Sequence, residues 1–308
     1  MNTALLALCL VIAIAVFALF ITWKKSNPYA LVDLVETKTP EELRSFVTQA
    51  TQHAEDMGGH LTLAHKVLPP MVISDERAAA ADRASNLLVI TRYSSSDAGE
   101  AALAARKSWV EQYTHRTYAT TPAHPIELRI LRTIFSLIEL FSRVEVSGEG
   151  NQQQIESLIE TSHIVQGAGI YEGDWSGQLK LSNNQPIWML NFLEYTEEAD
   201  YGAHPEAAPN KSISGKAAYK KYGDGMATSL ACVGGRIGWK SNALKPLSGT
   251  DDGHWDEIAI AVYPSTRALM TMYAQPAYRA AHVHRLAGLA RTRLVATQPI
   301  TTQTRETL

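Results

Sequence analysis

The chain has 308 residues, 45% of them hydrophobic and 19% charged, with a formal net charge of −3. That is an ordinary globular composition, long enough for one large domain or two modest ones. It lacks the concentrated basic face that nucleic-acid binding requires, and nucleic acid is excluded as a partner.

The first element in chain order is the run from Thr3 to Trp23, "TALLALCLVIAIAVFALFITW", which carries no charged side chain. About 20 apolar residues rising ~1.5 Å each match a hydrocarbon core of ~30 Å. The run has no basic segment before it and no small-x-small cleavage site after it, so a transmembrane anchor is expected over residues 1–25 rather than a signal peptide. Trp23, Lys24 and Lys25 form its interfacial flank. The positive-inside rule then puts the soluble part in the cytoplasm. The expectation is a single-pass membrane protein with the bilayer as a partner. Cys9 lies in the apolar run and Cys232 beyond it, so no disulfide within a domain is expected.

Residues 26–40 read as a juxtamembrane linker, and 41–180 as a mainly helical region. "TPEELRSFVTQATQHAEDMGG" has Thr39 as N-cap, Pro40 in the first turn, Glu41 and Glu42 beside the helix N-terminus, and Gly58 and Gly59 as its stop. "NLLVITRYS" reads as a short buried strand, and "DAGEAALAARKSWVEQY" as a helix. "HPIELRILRTIFSLIELFSRVE" is a helix whose core-facing stripe is expected at Ile130, Ile134, Leu137, Ile138 and Phe141.

The second half alternates differently. "PIWMLNFLEY" (186–195) is a strand and "SISGKAAYKKYGDGMATSLACVGG" (212–235) a helix with Ala218, Tyr222, Met226 and Leu230 on one side. "RIGWKS" and "HWDEIAIAVYP" are strands, residues 266–290 are helical, and "TRLVATQPI" is a last strand. This is the βαββαβ order of a ferredoxin-like unit, expected over 185–301 with a tail at 302–308. The fold class is therefore α+β: an anchor, a helical middle region and a C-terminal ferredoxin-like domain.

The blocks "WMLNFLEY", "SGKAAYKKYG", "GGRIGW" and "WDEIAIAVYPSTRALMTMYAQPAYRAAHVHRLAGLARTRLVATQP" resemble, in order, the bacterial family known as domain of unknown function 1330. The resemblance covers roughly 185–300. It implies a dimeric α/β-barrel of ferredoxin-like units, hence a homodimer through the C-terminal domain, but no common reaction. Related α/β-barrel families include cofactor-free monooxygenases, isomerases and haem-handling proteins, so a shared fold does not carry function across.

No motif announces chemistry. His282 and His284, two apart on a helix, point about 200° from each other and cannot chelate one ion. No HExxH, CxxC, phosphate-cradling loop or G-x-S-x-G turn is present, and neither a metal nor a cofactor is expected. "DDGHWDE" (251–257) reads as a solvated turn. On the strand 257–263, Ile258, Ile260 and Val262 are expected beneath the helices. Ala259, Ala261 and Tyr263 are then expected to face the interior of a barrel closed by a second chain. Asn191 is a polar residue inside an apolar strand and must be hydrogen-bonded, by backbone or by ligand. Asn191, Tyr195, Tyr219, Arg236, Tyr263 and His282 are the candidate pocket residues. Two functions remain open: a membrane-anchored module that self-associates and binds a small molecule, or a cofactor-independent monooxygenase- or isomerase-like enzyme acting on a small apolar substrate.

Overall fold

A computed structural model describes residues 28–68, 72–73, 85–146, 153, 185–248 and 254–300. The first unit runs β1 (Tyr29–Glu36), α1 (Pro40–Asp56), β2 (Gly59–Val67), β3 (Val72–Ile73), β4 (Leu87–Tyr93), α2 (Ser96–Ala105), α3 (Lys107–Val110) and β5 (Thr114–Pro122). After α4 (Pro125–Ser142) the second runs β6 (Ile187–Tyr195), α5 (Gly215–Cys232), β7 (Arg236–Ser248), β8 (Glu257–Tyr263), α6 (Thr266–Ala274), α7 (Pro276–Gly288) and β9 (Leu289–Pro299).

Leaving aside the two-residue β3, each unit is a βαββαβ repeat, with strands ordered β2-β4-β1-β5 in the first and β7-β8-β6-β9 in the second. The last strand of each unit pairs with the second strand of the other: β5 with β7, for example Thr121 opposite Asn242, and β9 with β2, for example His65 opposite Pro299. Eight antiparallel strands thus close into one barrel. Closure removes the exposed edges that a four-stranded sheet would leave.

This overturns the expected fold class. The linker and middle region are not merely a tether and helices: among the described residues, 29–122 supplies four barrel strands and carries its own ferredoxin-like order. The companion layer of the C-terminal sheet is the first half of the same chain, not a second copy. The supposed linker contains β1, all but its last residue buried. Among the described residues no helix is long and apolar enough to cross a membrane. The anchor expected over 1–25, with Trp23, Lys24 and Lys25, lies outside those residues, and the single-pass membrane assignment with a cytoplasmic domain finds no support.

Local signals explain the helices. Thr39 Oγ1 accepts from Glu42 N at 3.1 Å, and the Glu42 carboxylate accepts from Lys38 N at 2.6 Å, a reciprocal cap that starts α1. Gly58, at φ 70°, ends the turn that follows it. Ser95, Ser214 and Ser265 cap α2, α5 and α6 in the same way.

The barrel interior is filled. Val32 and Leu34 of β1, Ile90 of β4, Trp188, Leu190 and Phe192 of β6, Trp239 of β7, and Ile258, Ile260 and Val262 of β8 pack there as one apolar cluster, with Tyr118 and Trp255. Trp255, expected in a solvated turn, is fully buried, with the Arg291 and Arg293 guanidinium carbons 4.2 and 5.2 Å from its ring centre. Helix α4 is rotated from expectation. Leu131, Phe135 and Ile138 pack on the second unit's core, whereas Ile130, Ile134, Leu137 and Phe141 are exposed. The helix is apolar on two adjoining faces, and periodicity alone does not choose between them.

Candidate functional site

The site lies outside the barrel, between the second unit's sheet and its helices. The two faces of β8 are the reverse of the sequence expectation. Ile258, Ile260 and Val262 fill the barrel, while Ala259, Ala261 and Tyr263 look toward the helices. The reason is steric. A closed barrel of eight strands needs large interior side chains, whereas helices lying across a sheet approach closely over small ones. The second unit uses this closeness elsewhere too: a Cβ on Gly215 of α5 would stand 2.5 Å from the Gly288 carbonyl oxygen.

Over the two alanines the helices leave a cavity of about 50 Å³, space for roughly four waters or a ligand of a few heavy atoms. Its floor is Met189 and Asn191 of β6, Ala259 and Ala261 of β8, and Leu294 of β9. Its roof comes from α5, α6 and α7: Tyr219, Tyr222 and Met226, then Met272 and Tyr273, then Tyr278 and Arg285. Tyr263 and Ile237 complete the wall.

Five phenols and one guanidinium therefore meet around one small space. Tyr219 and Tyr222 have ring centres 5.2 Å apart, Tyr222 and Tyr278 6.1 Å, and Tyr273 and Tyr278 5.1 Å, so these four rings form a continuous packed group, edge-on between Tyr222 and Tyr278 and tilted elsewhere. Burial is the leading cause that pushes all five hydroxyls above the ordinary phenol pKa. They are neutral O–H donors at pH 7. Tyr263 Oη lies 3.7 Å from Met272 Sδ, donating to a weak acceptor. Arg285, 4% exposed, donates from Nη2 to Thr292 Oγ1 at 3.1 Å and also bonds the Tyr219 hydroxyl. A guanidinium stays protonated in any such setting.

Asn191 Nδ2 donates to the carbonyls of Met189 at 2.8 Å and Ala259 at 3.3 Å. Backbone thus satisfies the amide nitrogen while the residue still lines the cavity.

Of the six candidate residues, Asn191, Tyr219 and Tyr263 line this cavity. Tyr195 stands beside it, its ring centre 5.4 Å from that of Tyr219 and its hydroxyl donating to Glu257 Oε2 at 3.1 Å. Glu257, also held by Lys240 at 3.2 Å, is outside the lining. His282 is behind the roof, 5.6 Å from the Tyr278 ring and 6.3 Å from Tyr222, and burial lowers its pKa to about 3. Arg236 is half-buried near Arg132 and Glu139 of α4 and does not join the group. The residues that sequence reasoning missed are Arg285, Tyr222, Tyr273 and Tyr278. Across 278–290 the apolar residues Ala280, Val283, Leu286, Ala287 and Ala290 suggest an inward stripe that leaves Arg285 outside, yet Ala280, Leu286 and Ala290 are exposed while Tyr278, Ala281, His282, Arg285 and Ala287 are buried. The spacing of Tyr278, His282 and Arg285 by four and three is a helical stripe too, hidden by its polarity. Among the described residues no group of three His, Cys, Asp or Glu could hold a metal ion.

No family model matches the chain, and neither does any curated protein. The resemblance to domain of unknown function 1330 thus gains nothing from those comparisons. Among solved structures, the chain is similar to RPA0582, a protein of unknown function from Rhodopseudomonas palustris, at 29% identity over 43% of this chain and 96% of that one, with a TM-score of 0.37. It is also similar to chlorite dismutase from Candidatus Nitrospira defluvii in complex with imidazole, at 10% identity over 88% of this chain and 91% of that one, with a TM-score of 0.42. Likenesses of that strength do not bear on what the cavity holds.

Proposed function

We propose that this protein binds a small polar molecule in the cavity under the helices of its second unit. The observation that carries this reading is the convergence of Arg285 and five protonated tyrosines on one small space floored by Ala259 and Ala261. Small-molecule sites are typically concave and mostly apolar, with a few placed polar groups. Met189, Met226, Met272, Ile237 and Leu294 supply the apolar wall, and the phenols and guanidinium supply orientation. Arg285 only donates and each phenol can donate as well as accept, so a ligand bearing acceptors fits the site.

Binding is favoured over catalysis by the same chemistry. Phenols held above their ordinary pKa are poor bases at neutral pH.

The test is extraction and mass spectrometry of small molecules that co-purify with the full chain, compared with Ala259→Leu, which fills the cavity floor. A molecule recovered from the parent protein and lost from the folded variant is the expected result. Equal recovery from both would reject the site.

A further inference from the structure

Two of the five phenols around the cavity have no strong acceptor among the described residues, and they point to the ligand's chemistry. Tyr219 is bonded by Arg285, and the Tyr222 and Tyr278 hydroxyls bond each other. Arg285 is itself occupied, by Thr292 as well as by Tyr219. Tyr263 and Tyr273 remain. The Tyr263 hydroxyl donates to Met272 Sδ at 3.7 Å, and a thioether is a weak acceptor. Tyr273 packs on the Tyr278 ring with centres 5.1 Å apart, and its hydroxyl makes no hydrogen bond among the described residues.

Both side chains are buried, Tyr263 at 4% and Tyr273 at 6% exposure, and both line the cavity. They are also near neighbours. Met272, the sulfur partner of Tyr263, precedes Tyr273 in α6, and after burial it is Tyr273 that most raises the Tyr263 pKa. Other orphaned hydroxyls, those of Ser229 and Thr266, are sealed by protein atoms and out of a ligand's reach. The Tyr273 oxygen is not sealed and borders the open space. A phenol proton held on by burial needs an acceptor, because an orphaned donor is costlier than an orphaned lone pair.

The first unit shows how the same layer looks when it is filled. The fifth residue of its first strand is Asp33, opposite Val89 of β4 and Thr117 of β5; the counterpart in β6 is Asn191, opposite Ala259 of β8 and Leu294 of β9. Asp33 takes two bonds from Arg106 at 2.7 Å and one from Thr117 at 2.6 Å, while Val89 packs with Phe46 and Ala50 of α1. In the second unit Asn191 Nδ2 is committed to the backbone carbonyls of Met189 and Ala259, and Ala259 stands where Val89 has its bulk. Space opens there, and the two hydroxyls face it.

We propose that the cavity takes a small uncharged carbonyl compound, a ketone or aldehyde, whose oxygen accepts from both Tyr263 and Tyr273. This deepens the binding reading above and rests on it. A carbonyl oxygen has two lone pairs, so one atom serves two O–H donors, and it brings no donor of its own that would need a partner. Its carbon substituents are apolar and suit the wall of Met189, Met226, Met272, Ile237 and Leu294. A carboxylate would bring a full charge against that wall, and the guanidinium beside it is already bonded to Tyr219 and Thr292.

The experiment uses the full chain and three probes, followed by ligand-observed NMR and by the thermal midpoint. Butanone carries the carbonyl, 2-methylbut-1-ene replaces its oxygen by a CH2 group at nearly the same shape, and propionate is the charged match. Butanone is expected to bind more tightly than either and to raise the midpoint. Tyr263→Phe and Tyr273→Phe should each weaken butanone at least threefold, and the double variant at least tenfold, with the alkene held as well as before. These variants keep their rings and lose no strong hydrogen bond, so without probe their midpoints are expected at or above the parent's. Butanone bound no better than the alkene or propionate, or bound equally by the parent and the folded double variant, would overturn the carbonyl assignment while leaving a binding cavity. Binding of none of the three probes would also overturn that assignment. The binding reading itself falls with the extraction comparison against Ala259→Leu.

Discussion

Arg106 and Asp33 form a two-pronged ion pair, 2.7 Å at each contact, in the interior of the first unit. Removing one partner of such a pair strands a buried charge, at a cost of about 3–5 kcal/mol, whereas removing both is far milder. Asp33→Ala is therefore expected to lower unfolding free energy by about that amount. Asp33→Ala combined with Arg106→Met should recover much of it, as read by urea denaturation. Additive losses would show that the two side chains act independently.

Acid should weaken the fold through two buried histidines. Burial lowers both His65, which lies 4.6 Å from the Trp188 ring, and His282 to about 3, with Arg285 and His204 adding to the effect at His282. An unfolded histidine titrates near 6.5, so between those values the unfolded chain binds more protons. Stability is complete above about pH 6.5 and falls as pH drops toward 3, by up to about 1.4 kcal/mol per pH unit for each histidine. His65→Gln should give a shallower decline than the parent between pH 6.5 and 4, and adding His282→Gln a shallower one again. Superimposable curves would contradict this.

The two faces of β8 are expected to respond oppositely to substitution. Ile260→Ala opens a void in the packed barrel, costing about 2–5 kcal/mol, without changing recovery of the bound molecule. Ala259→Leu intrudes on the cavity and displaces the ligand, at a smaller cost because space is present there. Chemical denaturation together with extraction separates the two effects, and a reversed pattern would mean that the faces are misassigned.

Gly215→Ala is expected to cost about 1–3 kcal/mol by overpacking. The added carbon meets the Gly288 carbonyl and both oxygens of Thr196, two of those contacts being backbone that cannot swing away. Ala at Gly223, where a Cβ meets nothing within 4 Å, is the matched control. It should be neutral or stabilising, because glycine is the poorer helix former. A thermal melt of both variants decides.

Individual elements were legible where local chemistry is strong. Thr39, Pro40 and Glu42 announce α1, and the apolar run at 187–195 with Gly and Ser signals around α5 announces the strands and helix of the second unit. The first unit was not legible as a repeat. "YALVDLVE" is buried on both faces and shows little alternation, while β2 carries His60, His65 and Lys66, which mask its strand character. Without those strands the closing partner for the second sheet could only be sought in another chain. The two faces of β8 read the wrong way round for one reason: large aliphatic residues suit the helix-covered face of an amphipathic sheet, but a closed barrel reserves its inside for them. At the cavity, Asn191, Tyr219 and Tyr263 could be picked out as polar residues in apolar surroundings. Arg285 could not, because a charged residue next to two histidines reads as solvent-facing until its burial is seen.

The β5–β7 and β9–β2 seams join halves of a single polypeptide. Their local concentration is fixed by the covalent link and does not change with dilution. The halves are also freed from being copies: Asp33 can serve rigidity in one while its counterpart Asn191 is left to vary in the other. A barrel assembled from two identical chains would have to carry either two plugged cavities or two open ones.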